Sequence, residues 1–96
     1  MNKLILEKAI EHYGEEHQII KAIEELSELT TELARRANEQ GLRIHLLNEI
    51  ADASIMIEQL KMIFGEGLVD KLVTDKLNRL NDRIHEDEIA VLSGAV

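Results

Sequence analysis

The sequence predicts an all-α fold, a four-helix bundle-like subunit completed by homodimerisation. Three observations predict it. The chain of 96 residues has no proline and is rich in Leu, Ile, Ala, Glu and Lys, a mixture that favours helix over sheet. Its few glycines fall where helices can stop, at Gly14, at Gly41, and at Gly65 with Gly67. The third of the resulting segments is apolar around its whole circumference, and three neighbours, one of them short, can hardly cover such a helix.

The expected helices run over roughly 3–12, 15–40, 43–64 and 67–86. The first ends at Gly14. The second carries an apolar stripe of Ile19, Ile23, Leu26, Thr30, Leu33 and Ala37 at helical spacing, expected to face the core. The third carries Leu46, Leu47, Ile50, Ile55, Met56, Ile57, Leu60, Met62 and Ile63, which point in nearly every direction and place it near the centre of a self-associated assembly. The fourth has an inward stripe of Val69, Val73, Leu77, Leu80 and Ile84. Residues 1–86 are thus read as a single helical domain. Residues 87–96 form a C-terminal tail whose Ile89, Ala90, Val91 and Leu92 either dock on a neighbouring subunit or fray.

Composition narrows the function. A formal charge of −8 argues against nucleic acid as a partner, because phosphate backbones are bound by basic patches. One Tyr, one Phe and no Trp leave almost no stacking platform for single strands. A small phosphorylated ligand remains compatible with this charge if a metal ion neutralises the acids around it. There is no cysteine, so disulfide and thiolate chemistry are excluded. No apolar run approaches the ~20 residues of a membrane span, and Met1–Ile10 is too polar for a signal peptide. A cytoplasmic protein without a membrane partner is the expectation.

Two acidic clusters carry the chemistry. Glu24, Glu25 and Glu28 lie in EELSE on the second helix, and Glu49 and Asp52 lie in EIAD on the third. Residues at i and i+3 sit about 60° apart around a helix and one turn apart along it. Glu25 with Glu28, and Glu49 with Asp52, therefore each project from one edge. In helices running antiparallel through the turn near Gly41, the two pairs reach similar heights. Glu49 and Asp52 share a stripe with Met56 and Ile63, flanked by Ala53 and Leu60. Two carboxylates inside an apolar stripe repel each other and lose hydration, at several kcal/mol per ion unless offset. A cationic side chain, shared protons or a bound metal can offset it. A set of four carboxylates without histidine suits Mg²⁺ or Mn²⁺.

Lys76, Arg79 and Arg83 share one flank of the fourth helix, within about 60° of one another. They can grip phosphate oxygens or pair with acids on neighbouring helices. Lys21, one turn before Glu25, can pair with that acid or reach a phosphate. The four histidines, His12, His17, His45 and His85, lack metal-ligand spacing and are read as surface or interface residues, with His45 one turn before Glu49. Ser27 and Ser54 have no triad partners, and there is no glycine-rich phosphate loop.

From about residue 8 to about residue 84 the chain resembles the MazG-like all-alpha nucleoside triphosphate pyrophosphohydrolases. The resemblance lies in YGEEHQIIKAIEELSEL, NEIADASIMIEQL and DKLNRLNDRI, and within them in the pattern EExxE, a spacer of about twenty residues, then ExxD. It implies metal coordination by Glu25, Glu28, Glu49 and Asp52, with Lys76 and Arg79 meeting the triphosphate. It also implies a bundle completed by dimerisation and often paired again into a tetramer, a dimer of dimers. Many relatives carry an aromatic where this chain has Met56, and Trp where it has Tyr13, so the preferred base stays open.

The expected activity is Mg²⁺-dependent hydrolysis of a nucleoside triphosphate at the α-phosphorus, releasing a monophosphate and pyrophosphate. A carboxylate would deprotonate the attacking water. Glu24 is a weak candidate for this base, since it points about 100° away from Glu25. Lys76 with Arg79 or Arg83 would neutralise the leaving pyrophosphate. Two rivals are a catalytically inactive helical dimer acting as an interaction or regulatory module, and a metal-dependent phosphohydrolase that releases single phosphates.

Overall fold

The computed structural model describes residues 1–94. Those residues form four helices and no strand: α1 Lys3–Tyr13, α2 Glu15–Ala37, α3 Arg43–Phe64 and α4 Glu66–Leu92. Ala95 and Val96, the end of the expected tail, lie outside the described residues. The chain divides into two compact units, one of Met1–Phe64 and a second beginning at Gly65.

In the first unit, Asn2 caps α1, its Oδ1 accepting from the backbone N–H of Leu4 at 3.1 Å and Ile5 at 3.4 Å. Gly14 separates α1 from α2 with φ 91° and ψ 152°, in a region essentially reserved for glycine. Glu15 and Glu16 in the first turn of α2, and Arg35 and Arg36 in its last, complement the helix dipole. The helix stops earlier than expected. Asn38 takes the C-cap and Glu39 turns left-handed at φ 58°, so the chain has left the helix before it reaches Gly41.

α2 and α3 form the main interface of this unit, and α1 packs on both. They run antiparallel: Gln18, early in α2, bonds to Gln59, late in α3. The buried residues are Leu6 from α1, Gln18, Ala22 and Glu25 from α2, and Ala53, Met56 and Gln59 from α3. Small Ala22 and Ala53 let the two long helices approach closely, while Leu6 and Met56 fill the space around them. Burying either of those larger side chains contributes roughly 1.5–3 kcal/mol.

This packing corrects the expected face of α2. Of the predicted stripe, only Ile19 and Leu26 are half-buried, whereas Ile23 is 60% exposed and Thr30, Leu33 and Ala37 are also exposed. The inward face is the neighbouring one, through Gln18, Ala22, Glu25 and Leu29. On α3, read as apolar all round, one face is turned inward, with Ala53 and Met56 buried and Leu60 and Ile63 half-buried. The rest of its apolar surface, including Leu47, Ile50, Ile55 and Ile57, is exposed in the single chain.

The second unit consists of α4 and the residues after it. No α4 residue is buried, and of its expected inward stripe Val73, Leu77, Leu80 and Ile84 are exposed and Val69 half-buried. The helix continues to Leu92, beyond the expected stop at residue 86. Residues 87–92 contain no glycine or proline, and the next glycine, Gly94, takes φ 73° just past the Ser93 cap. Among the described residues no helix is long and apolar enough to cross a membrane.

Candidate metal centre

Glu25 and the acids of α3 meet because the antiparallel pairing keeps step. From the Gln18–Gln59 contact, an equal advance along α2 and retreat along α3 brings Glu25 level with Asp52, with Glu49 one turn beyond. Glu25, Glu49 and Asp52 each offer an oxygen, and the three oxygens lie within 4.8 Å of one another. They differ in exposure: Glu25 is buried at 8%, Glu49 is half-buried and Asp52 is exposed. The cluster therefore has a buried inner end and an open outer end.

The charge of the cluster is incompletely compensated. Glu25 Oε1 accepts from the Lys21 ammonium at 3.1 Å, but the buried Oε2 of Glu25 has no donor, and neither has the buried Oε2 of Glu49. Burial pushes the Glu49 carboxyl above the usual carboxylate range. Its neighbour Glu28 pushes it the same way by charge and by a hydrogen bond, and the charges of Asp52 and Glu25 add to the effect. Lys21 is held more firmly protonated than a free lysine, first by its hydrogen bond to Glu25 and then by that residue's charge.

The donor set fits a hard divalent cation. Every available ligand atom is a carboxylate oxygen, Glu25 and Glu49 each have a buried oxygen without a donor, and the group is open on the Asp52 side. The same arrangement does not distinguish Mg²⁺ from Mn²⁺.

The remaining site residues expected from sequence fall as follows. Glu28 is exposed and reaches Glu49, without joining the three acids whose oxygens converge. Glu24 is exposed and lies 3.6 Å from Lys21. Lys76, Arg79 and Arg83 are all exposed on α4, in the second unit.

Sequence reasoning missed a second polar group in the α2–α3 interface. Gln18 Nε2 donates to Gln59 Oε1 at 2.7 Å, both side chains buried. His17 Nδ1 donates to Gln18 Oε1 at 2.8 Å, and Gln59 Nε2 approaches Met56 Sδ at 3.7 Å. His17 also stacks on Tyr13, their ring centroids 5.1 Å apart. The available signal was wheel position, since Gln18 lies two turns before Glu25 and Gln59 two turns after Asp52. Compared with known proteins, the chain matches no family model, no curated protein and no solved structure at a significant level.

Proposed function

We propose that the chain is a Mg²⁺-dependent nucleoside triphosphate pyrophosphohydrolase, of the MazG-like kind its acidic pattern resembles. One observation carries the reading: Glu25, Glu49 and Asp52 converge from two helices, and two buried oxygens of the group have no donor. Glu25, Glu49 and Asp52 would hold the ion, and Glu28, the fourth acid of the pattern, would join them only by turning its exposed side chain inward. A divalent cation there supplies positive charge to offset the triphosphate and the charge developing in the transition state.

The protein's own groups do the rest. A carboxylate of the cluster takes the proton of the attacking water. Glu24, exposed and about 100° around the helix from Glu25, is a weak candidate for this base. Lys76, Arg79 and Arg83 are the proposed grip on phosphate oxygens, because their exposed cations share one helix flank. A homodimer is part of the proposal. Leu47, Ile50 and Ile57 of α3 are exposed in the single chain, and a groove lined by Leu26, Leu29, Ile50, Ala53 and Ile57 runs along the α2–α3 surface.

The test is a panel of ribo- and deoxyribonucleoside triphosphates with Mg²⁺, with pyrophosphate and phosphate measured separately. Equimolar monophosphate and pyrophosphate are expected. Release of single phosphates would reassign the regiochemistry, and no turnover of any nucleotide would leave the second reading.

That second reading is an inactive helical dimer acting as an interaction module, and the Lys21–Glu25 pair favours it, because an acid of the cluster already has a side-chain counter-ion. Melting with and without millimolar Mg²⁺ separates the two. A cation site formed only on folding raises the midpoint, and a salt-bridged dimer barely responds.

A further inference from the structure

We propose that Lys21 is a built-in counter-ion of the acidic cluster, seated on Glu25 in the metal-free protein and displaced to Glu24 when a divalent cation enters. The proposal rests on the reading of Glu25, Glu49 and Asp52 as a cation site, and it adds a moving part to that site.

The geometry of α2 provides both seats. Lys21 lies one turn before Glu24 and Glu25, with its ammonium 3.1 Å from Glu25 Oε1 and 3.6 Å from Glu24 Oε2. The first seat is on a buried carboxylate, the second on an exposed one. Lys21 itself is 46% exposed along its side chain, so its stem can swing without disturbing the packing around Ala22.

The need for a counter-ion is local. A buried carboxylate without a cation is strongly disfavoured. Among the described residues no Lys or Arg forms an ion pair with Glu49 or Asp52, so Lys21 supplies the one ammonium that touches the cluster. A divalent ion bound to Glu25 removes the attraction that holds the ammonium there and repels it. Glu24 lies within reach to receive it, which gives the first acid of EELSE a part that its outward direction otherwise leaves unexplained. The consequence is competition. Lys21 offsets the charge of Glu25 in the empty site, and it weakens the binding of the first cation by the strength of the pair it must give up.

The experiment is a titration of Mn²⁺ alone at pH 8, without nucleotide, on the wild-type chain and on Lys21→Met and Lys21→Arg, with free Mn²⁺ read by electron paramagnetic resonance. Lys21→Met is expected to bind Mn²⁺ roughly three- to fivefold more tightly, the scale of a partly exposed ion pair. Lys21→Arg, which keeps the charge, should stay within about twofold of wild type on the same scale. The rise in melting temperature on adding Mn²⁺ should also be larger for Lys21→Met, since the Lys21–Glu25 pair stabilises only the empty state and that variant lacks it. Should Lys21→Met not fold, Lys21→Gln removes the same charge and is read the same way. Equal or weaker Mn²⁺ binding in the uncharged variant overturns the counter-ion proposal and leaves the cation site standing. Absence of Mn²⁺ binding to the wild-type chain overturns both.

Discussion

Gln18 with Gln59, and Glu25 with Glu49 and Asp52, are two polar layers of the same α2–α3 interface, two turns apart. In the amide layer each donor finds an acceptor: His17 donates to Gln18, Gln18 to Gln59, and Gln59 to the Met56 sulfur. Its polar groups are matched by the protein alone, and this fixes the register of the two helices. The carboxylate layer has only acceptors, a single ammonium at its edge, and two buried oxygens left over. Buried polar groups are ordinarily paired, and those that are not mark a place where something else belongs. The difference between the layers is therefore one of completeness: the first is matched as folded, and the second is an acidic group that could hold a metal ion.

Substitutions in the two layers should fail in different ways, and the largest contrast is in activity. Glu49→Gln should reduce Mg²⁺-dependent nucleotide turnover by more than about a hundredfold, since even residues that merely support metal ligands commonly cost 10–100-fold. Its helical content by circular dichroism should be unchanged. Full activity in this variant would remove Glu49 from the site and with it the distinction between the layers.

The amide layer should give the converse result. Gln18→Met leaves the Gln59 amide buried without its partner, at a cost of about 1–3 kcal/mol by denaturant unfolding, with or without Mg²⁺. Replacing both, Gln18→Met with Gln59→Met, should recover most of that loss, because removing both partners of a buried hydrogen bond is close to neutral. A metal-dependent loss in either variant would show that the two layers are coupled and not separate.

How much of this was legible beforehand depended on how loudly each residue announces its environment. The apolar stripe of Ala53, Met56 and Leu60 around EIAD pointed to partial burial, which holds for Glu49 and not for the exposed Asp52, and the boundaries of α3 follow from the glycines near its ends. The convergence of Glu25 on them followed from antiparallel helices and a short turn. The inward face of α2 was misjudged, because hydropathy ranks Ile23 and Leu33 above Ala22, while close helix packing prefers the small side chain. Gln18 and Gln59 were invisible for a related reason, since a glutamine on a helix reads as solvated until its partner is known. The end of α2 was set by Asn38 and Glu39, residues that stop a helix only when the following turn favours it. The length of α4 was underestimated because residues 87–92 were read as part of a tail, although nothing in their chemistry breaks a helix.

The smallest expected effect concerns the empty carboxylate layer and its protons. The Glu49 carboxyl binds a proton more tightly in the folded chain than in the unfolded one, because it is partly buried and faces Glu28, Asp52 and Glu25. An acid with a raised folded-state pKa makes the folded state the greater proton binder between its ordinary pKa and the raised one, so this contribution to stability falls as pH rises through that window. Above the raised value the ionised Glu49 is a net burden on the metal-free fold. Glu49→Gln removes the charge while keeping the shape. Without metal, its melting temperature at neutral pH should therefore exceed that of wild type, and the gap should close as pH falls toward the ordinary carboxylate range. With saturating Mg²⁺ the order should reverse, because only the wild-type site gains from the ion. A Glu49→Gln variant that is less stable than wild type at neutral pH without metal would mean that Glu49 is already compensated by the protein, as the amide layer is.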